Sequence, residues 1–306
     1  MRRIAGTFLL AFFLLAGCSQ SSNVRQVRLT NVASAPAVPA DSSPETMPIR
    51  VAAASIVSPQ ETIRSYGLFF NYLEREVGHQ IDLVQRKTYE ETYDLLRYGT
   101  LDMAMVCTYL YVRGHDEIGV DLLAAPQVNG RAQYRSLVIV RADSQIEDFG
   151  DLAGKRFAFT DPLSTSGRLY PLSVLRELGV EPGAFFASTT YTYSHDNSIK
   201  AVVQGVVDGA AVDSLVFDQW AVKNPELGLS LRVVDHSDWL PSPPMIVSKK
   251  VDPHLREAFR EALLGMHEDP EGKRILAELG IEQFVLQRDE DYAPVRELAR
   301  KAGVLP

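Results

Sequence analysis

The residues with the clearest chemical potential form a hydroxyl-rich turn, Ser164-Thr165-Ser166-Gly167. A strand-like segment from Lys155 to Thr160 precedes the turn, and leucines spaced by three residues from Leu169 to Leu178 follow it. Three hydroxyls and a glycine therefore stand at a helix N-terminus, where backbone N–H groups lack intrahelical partners and the helix dipole is positive. The pattern predicts an anion-binding turn, although the same residue types also serve as ordinary helix caps.

Cys107 is the second chemically distinctive residue. The chain has two cysteines, and the other, Cys18, has a different predicted role at the N-terminus. Cys107 is therefore expected to be a free thiol in a compartment that permits disulfides. A thiolate is a soft ligand suited to a thiophilic species and not to phosphate, whereas a free cysteine is equally often a small buried hydrophobe.

Two other kinds of chemistry find little support. Ser166, His195 and Asp213 supply the residue types of a nucleophilic hydrolase, but the serine lacks the Gly-x-Ser-x-Gly elbow, and a binding site needs the same residue types. The six histidines form no pair at the spacing of helical metal ligands, so the sequence predicts no catalytic residue, metal or cofactor.

The elements that position these residues alternate between strand and helix. From Ile49 onward, short apolar runs alternate with segments of helical periodicity, which predicts an α/β fold with mostly parallel sheets flanked by helices. Two lobes are expected, with crossovers near 141 and 243: residues 48–141 plus 244–306 form lobe 1, and residues 142–243 form lobe 2. Ligands of open α/β sheets bind beyond the carboxyl ends of strands, so the candidate site comprises the loops at 55–58, 86–89, 107–109, 161–166, 194–196 and 213–214.

The N-terminus carries a targeting pattern. Residues 1–17 combine two arginines, an apolar run and a small-residue site, which predicts a secretory signal too short to span a bilayer. Leu-Ala-Gly before Cys18 resembles the bacterial lipobox, which implies cleavage before Cys18 and acylation of its thiol; an ordinary signal peptide is the alternative. Residues 18–47 are then an acylated cysteine and a flexible tether, so that the mature protein is anchored to a membrane without spanning it.

The charge balance restricts the class of partner. Without the two signal-peptide arginines, 29 Lys and Arg face 39 Asp and Glu, a formal charge of −10. An acidic chain with no basic run argues against nucleic acid as a partner. A small anionic ligand remains compatible, because local backbone dipoles act within a Debye length of ~8 Å.

Several segments together resemble a known family. The segments are residues 98–106, 154–167, 194–196, 207–214, 267–273 and 291–296. Over nearly all of residues 49–302 the chain resembles the phosphate/phosphite/phosphonate-binding (PhnD-type) solute-binding proteins of bacterial ABC importers. The segment Asp161-Pro-Leu-Ser-Thr-Ser-Gly167 is the most specific part of the match.

The resemblance implies a two-lobed, type II-like periplasmic binding protein that closes over a small oxyanion and delivers it to an ABC permease. Its anion loop falls on Ser164, Thr165 and Ser166, its cleft histidine on His195 and its cleft carboxylate on Asp213. The histidine is expected to change charge near neutral pH, and the carboxylate to accept a hydrogen bond from a protonated P–OH or a ligand amine. The first lobe is expected to close over the ligand with Tyr89, Cys107, Thr108 and Tyr109.

One position departs from the family pattern. The family usually carries Gly-Pro where this chain has Cys107-Thr108. A branch resembling this family consists of periplasmic arsenite sensors that use a cleft cysteine and report to a membrane histidine kinase. The leading prediction is therefore a lipid-anchored periplasmic binding protein for phosphonate, phosphite or phosphate, and the alternative is an arsenite or oxyanion sensor that uses Cys107.

Overall fold

Two β-sheets with helices on their faces form the framework of the folded chain. The computed structural model describes residues 47–54 and 56–305. The predicted signal peptide, the lipidation site Cys18 and all but the last residue of the tether lie outside the described residues. None of the described helices is long and apolar enough to cross a membrane.

The strands and helices agree closely with the predicted alternation. The strands are β1 (Ile49–Ala53), β2 (Ile81–Val84), β3 (Met103–Met105), β4 (Asp121–Gln127), β5 (Gln133–Tyr134), β6 (Ser136–Arg141), β7 (Arg156–Phe159), β8 (Ser188–Tyr191), β9 (Gly209–Asp213), β10 (Leu231–His236), β11 (Leu240–Pro241), β12 (Met245–Val247) and β13 (Gln283–Val285). The α-helices are α1 (Pro59–Val77), α2 (Tyr89–Arg97), α3 (Thr108–Ile118), α4 (Tyr170–Glu177), α5 (Pro182–Phe185), α6 (His195–Val203), α7 (Ser214–Lys223), α8 (Pro225–Gly228), α9 (Pro253–Gly265), α10 (Pro270–Glu278) and α11 (Ala293–Lys301).

Both sheets are mixed. The six-stranded sheet has the order β13-β4-β12-β3-β1-β2, and the five-stranded sheet has the order β10-β6-β9-β7-β8. Parallel pairing, expected for most of each sheet, occurs where a helix connects neighbouring strands, in β2-β1-β3 and β8-β7-β9. The other pairs are antiparallel, because β6 and β12 enter their sheets from the opposite sheet without a crossover helix that would align them.

The chain passes between the sheets twice, and the first passage comes earlier than expected. The strand Ser136–Arg141, assigned to lobe 1 from the sequence, pairs with β9 and β10 of the five-stranded sheet. The first crossover therefore lies between Gln127 and Ser136 and not near 141. An apolar strand fits either sheet equally well by its sequence pattern, so only the pairing decides; the remaining lobe boundaries stay a prediction. The short antiparallel pair β5–β11 joins the two connecting segments.

Local capping begins the helices that lead away from the central strands. The Thr88 hydroxyl accepts a hydrogen bond from the Glu91 N–H at 3.2 Å at the start of α2. Cys107 and Asp213 hold the same position at the starts of α3 and α7. Strands β3 and β9, fully buried, thus present their C-terminal ends and the following helix N-termini to the region between the sheets.

Candidate ligand-binding site between the two sheets

The turn Ser164–Gly167 opens a helix, as predicted, but its first turn is a π-helix from Thr165 to Leu169. The Ser164 hydroxyl accepts from the Gly167 N–H at 3.0 Å, and the Ser164 carbonyl accepts from the N–H groups of Arg168 and Leu169. The Thr165 N–H hydrogen-bonds the Cys107 sulfur, whereas the Ser166 N–H has no acceptor among the described hydrogen bonds. The Ser166 N–H is therefore a donor that this helix start offers to an anion.

Asp161 connects the Ser164 turn to the start of α2. Its carboxylate accepts from the Leu163 N–H at 2.8 Å and from the Tyr89 N–H at 3.1 Å, which links the turn to the start of α2. Burial raises the pKa of this carboxyl group. Asp161 belongs to the predicted candidate loop 161–166, but its contact with Tyr89 spans 72 positions and leaves no local signal in the sequence.

Thr165 connects the turn to the start of α3. Its hydroxyl accepts from the Thr108 hydroxyl and from the Tyr109 N–H, both at 2.8 Å. Thr108 also lies 3.1 Å from the hydroxyl of Tyr134, a buried residue that sequence reasoning missed. The residues predicted for the two sides of the site are thus in direct contact.

Cys107 is buried in this contact. Its Sγ accepts from the Leu110 N–H at 3.4 Å and lies 3.2 Å from the Leu163 carbonyl, to which the thiol donates. Burial raises the pKa of the thiol to about 12. At neutral pH the thiol is therefore protonated and acts as a helix cap, whereas a thiophilic ligand requires the thiolate.

His195 lies at the start of α6 and is almost completely buried. The ring Nδ1 of His195 accepts from the Asp213 N–H at 3.1 Å, so the ring proton is on Nε2. The backbone N–H of His195 donates to the Ile56 carbonyl at 3.0 Å. Burial lowers the pKa of the imidazole to about 3. The expectation that His195 changes charge near neutral pH is therefore wrong: desolvation disfavours the imidazolium, and the Asp213 N–H points its dipole at Nδ1.

Asp213 caps α7 from the end of β9. Its Oδ1 accepts from the N–H groups of Leu215 at 2.7 Å and Val216 at 3.4 Å. Burial raises the pKa of the carboxyl group to about 7. His195 contacts the backbone of Asp213 and the carboxylate is used for the helix cap, so the His–carboxylate contact of a hydrolase triad is absent between these two residues.

Tyr89 carries the clearest sign of a ligand. Its side chain is fully buried, and its hydroxyl has no hydrogen-bond partner among the described residues. Burial raises the pKa of Tyr89, with further contributions from Cys107, Asp161 and Asp213, which places the phenol among the predicted site residues. An unpaired buried hydroxyl costs about 1–3 kcal/mol, so this group is expected to find its partner in a bound molecule.

A cavity of about 310 Å³ adjoins this polar cluster. Of the predicted ligand-binding residues, only Asp213 lines it. The other predicted ligand-binding residues lie beside the cavity, where the Ser164 turn meets the starts of the neighbouring helices: Ser164, Thr165, Ser166, His195, Tyr89, Cys107, Thr108 and Tyr109. Within residues 47–54 and 56–305, no group of three or more His, Cys, Asp and Glu side chains could hold a metal ion.

Replacing Gly167 with alanine is expected to disrupt the anion-binding turn. A Cβ on Gly167 would overlap the Thr160 side chain and approach the Ser164 hydroxyl to 2.9 Å. Overpacking of this kind typically costs about 1–3 kcal/mol, so the free energy of unfolding in urea should fall by that amount. Gly67→Ala is the matched control, because nothing lies within 4 Å of its Cβ and alanine favours the middle of α1. Unchanged stability of Gly167→Ala would contradict the observed packing of the turn.

Comparisons with known proteins show the family of this chain. The family model of ABC transporter, phosphonate, periplasmic substrate-binding proteins matches residues 51–292. The phosphonates-binding periplasmic protein of Escherichia coli (strain K12) is 24% identical over 267 residues, 85% of this chain and 78% of that protein. The phosphate-import protein PhnD of Mycolicibacterium smegmatis is 32% identical over 188 residues, 58% of each protein.

The solved structures show the same fold. A binding-protein component of an ABC phosphonate transporter from Pseudomonas aeruginosa matches with a TM-score of 0.78 and 23% identity, over 83% of this chain and 86% of that chain. The predicted two-lobed α/β fold is confirmed, and so is the resemblance to binding proteins that are not enzymes. The chain belongs to the family of periplasmic phosphonate-binding proteins that serve as the substrate-binding components of ABC transporters.

Proposed function

We propose that this protein is a lipid-anchored binding protein that captures a phosphorus oxyanion (phosphonate, phosphite or phosphate) between its lobes and delivers it to an ABC permease. The unpartnered hydroxyl of Tyr89, buried beside the Ser164 turn, is the observation that carries the proposal. Membership of the family supports the general part of this proposal, a phosphonate- or phosphate-binding component of an importer.

The site is suited to an anion that is recognised by dipoles. Ser166 offers a backbone N–H group, and Tyr89 offers a hydroxyl. Neutral donors of this kind stabilise charge when they are preorganised in a buried site. Asp213, with its pKa raised to about 7, supplies an acceptor for a protonated P–OH. Sulfate is fully ionised near neutral pH and has no such proton, so we expect the site to reject it.

Calorimetric titration tests the ligand class. Phosphate, phosphite and methylphosphonate are titrated into the full-length protein in detergent over about pH 6 to 8, with sulfate as the matched tetrahedral control. We expect binding of at least one phosphorus oxyanion and none of sulfate. No heat from any phosphorus oxyanion across this range would overturn the proposal.

The anchor has its own test. Cys18 lies outside the described residues, and the lipobox resemblance alone supports its acylation. The wild-type protein should sediment with membranes, whereas Cys18→Ala should remain in the soluble fraction. Equal distribution of the two proteins would contradict the anchor.

The sensor alternative depends on Cys107 and is disfavoured by its burial and its pKa of about 12. In a Cys18→Ala background, which leaves Cys107 as the single thiol of the chain, a thiol reagent should react only after unfolding. Cys107→Ser should change the affinity for the phosphorus oxyanion by less than about threefold, because serine also caps helices. Arsenite binding that disappears in Cys107→Ser would instead favour the sensor.

A further inference from the structure

The cavity beside Asp213 is mostly apolar. It lies between elements of both sheets, and its volume is about 310 Å³. Its walls include Val57, Met105, Val128, Leu215, Val216 and Leu279. A cavity of about 150 Å³ with walls of this kind holds benzene, so the space is large enough for a group of phenyl size or somewhat larger.

The cavity adjoins the predicted site through Asp213 and Ile56. Asp213 lines the cavity, and its N–H donates to His195. Ile56 also lines the cavity, and its carbonyl accepts from the His195 N–H. Met105 ends β3, two residues before Cys107 at the start of α3. A ligand with one end at the Ser164 turn therefore has an adjacent space for a substituent.

The charges around the cavity select the kind of substituent. Glu61, Asp213, Asp218 and Glu278 contribute carboxyl groups. Glu278 is paired with Arg274, and the one lysine in the described lining, Lys223, is paired with Glu61 at 3.0 Å. No cation of this lining is left to bind a negatively charged substituent. Burial raises the pKa of both Asp213 and Asp218, so part of this carboxyl surface is neutral near pH 7 and below.

We propose that the natural ligand is an organic phosphoryl compound whose uncharged, mainly apolar group, about the size of a phenyl ring, occupies this cavity while its phosphoryl group binds at the Ser164 turn. The inference rests on the proposed function and deepens it by naming the ligand class. The same chemistry comes from a phosphonate or from a phosphate monoester.

Affinity measurements with matched phosphoryl compounds test the inference. We expect phenylphosphonate or phenyl phosphate to bind the full-length protein at least about tenfold more tightly than methylphosphonate, because burial of a phenyl group removes apolar surface from water. Tighter binding of phenylphosphonate would identify the ligand as a phosphonate, and tighter binding of phenyl phosphate would identify it as a phosphate monoester. Phosphonoacetate, with its additional carboxylate, should bind more weakly than methylphosphonate. Equal affinities, or tighter binding of 3-aminopropylphosphonate than of both phenyl compounds, would overturn the inference.

Variants that fill the cavity test whether the phenyl group of the ligand binds there. Val128→Phe should remove the preference for the phenyl compound while retaining methylphosphonate binding, which also reports that the variant is folded. Val206→Phe is the matched control, because Val206 is exposed and does not line the cavity. Val216→Phe fills the same cavity from α7 and serves if Val128→Phe does not fold. A phenyl preference that persists in a folded cavity-filled variant would overturn the inference.

The outcomes separate the two proposals. Binding of methylphosphonate without any preference for the phenyl compounds overturns this inference and leaves the proposed function standing. Absence of binding by every phosphorus compound overturns both.

Discussion

Replacing Tyr89 with phenylalanine is expected to weaken ligand binding strongly without destabilising the ligand-free protein. The hydroxyl has no partner among the described residues, so its removal breaks no protein hydrogen bond and relieves a desolvation cost of about 1–3 kcal/mol. A hydrogen bond to a charged ligand contributes about 1.5–3 kcal/mol, so the dissociation constant for the bound oxyanion should rise roughly 10- to 100-fold.

Calorimetric titration measures the loss of ligand affinity, and thermal unfolding measures the stability of the ligand-free protein. Tyr93→Phe is the matched control: Tyr93 is on the same helix, and its hydroxyl donates to Glu117. The control should keep wild-type affinity for the ligand and lose some stability. Wild-type affinity in Tyr89→Phe would remove this hydroxyl from the ligand site, and a large loss of stability would show that it has a protein partner.

The second large effect concerns the pH dependence of stability, in which His195 and Asp213 act in opposite directions. The pKa of His195 falls from 6.5 to about 3 on folding, so the unfolded chain binds the proton first as the pH falls. This contribution to stability is complete above about pH 6.5 and is lost towards pH 3. The pKa of Asp213 rises from 3.8 to about 7, so the unfolded chain loses its proton first as the pH rises. This contribution is present below about pH 4 and is lost towards pH 7.

Between about pH 4 and 6.5 the two contributions change stability in opposite directions, so their pH dependences largely cancel in the wild-type protein. Single variants should reveal the pH dependence of each contribution. Asp213→Asn keeps the capping oxygen and removes the charge, so this variant should be more stable than wild type at pH 8 and should lose stability more steeply on acidification. His195→Asn places Oδ1 where Nδ1 accepts, so this variant should gain stability as the pH falls from 7 to 4. Each effect is of the order of a few kcal/mol, since one pKa unit corresponds to about 1.4 kcal/mol.

Urea unfolding between pH 4 and 8 measures both slopes. His254→Asn changes an exposed histidine of α9 and should leave the pH dependence of unfolding as in the wild-type protein. Parallel pH profiles for wild type, Asp213→Asn and His195→Asn would contradict the burial of these two groups as the source of their pKa shifts.

The sequence by itself determined the local elements of this protein. The predicted alternation of short apolar runs and helical segments from Ile49 onward is found as the order of strands and helices, and the predicted strand before the Ser164 turn is β7. The Ser164 turn opens a helix, as predicted. Such features depend on periodicity and on hydrogen bonds within four or five residues, which the sequence displays directly.

Only the tertiary structure decided how these elements combine into a site. The assignment of β6 to the five-stranded sheet depends on pairing with β9, whose paired residues lie between 69 positions (Val140 and Gly209) and 77 positions (Ser136 and Asp213) away. The roles of Tyr134 and Asp161 depend on contacts with Thr108 and Tyr89, and no local pattern marks them.

The charge states were likewise decided by the folded structure. The sequence indicated a histidine that titrates near neutral pH and left Cys107 open as a thiolate ligand. Burial reversed the first expectation and disfavoured the second, since it lowers the pKa of the imidazole and raises that of the thiol. Residue type sets the reference pKa, but desolvation and the direction of neighbouring dipoles arise only when distant segments are packed together.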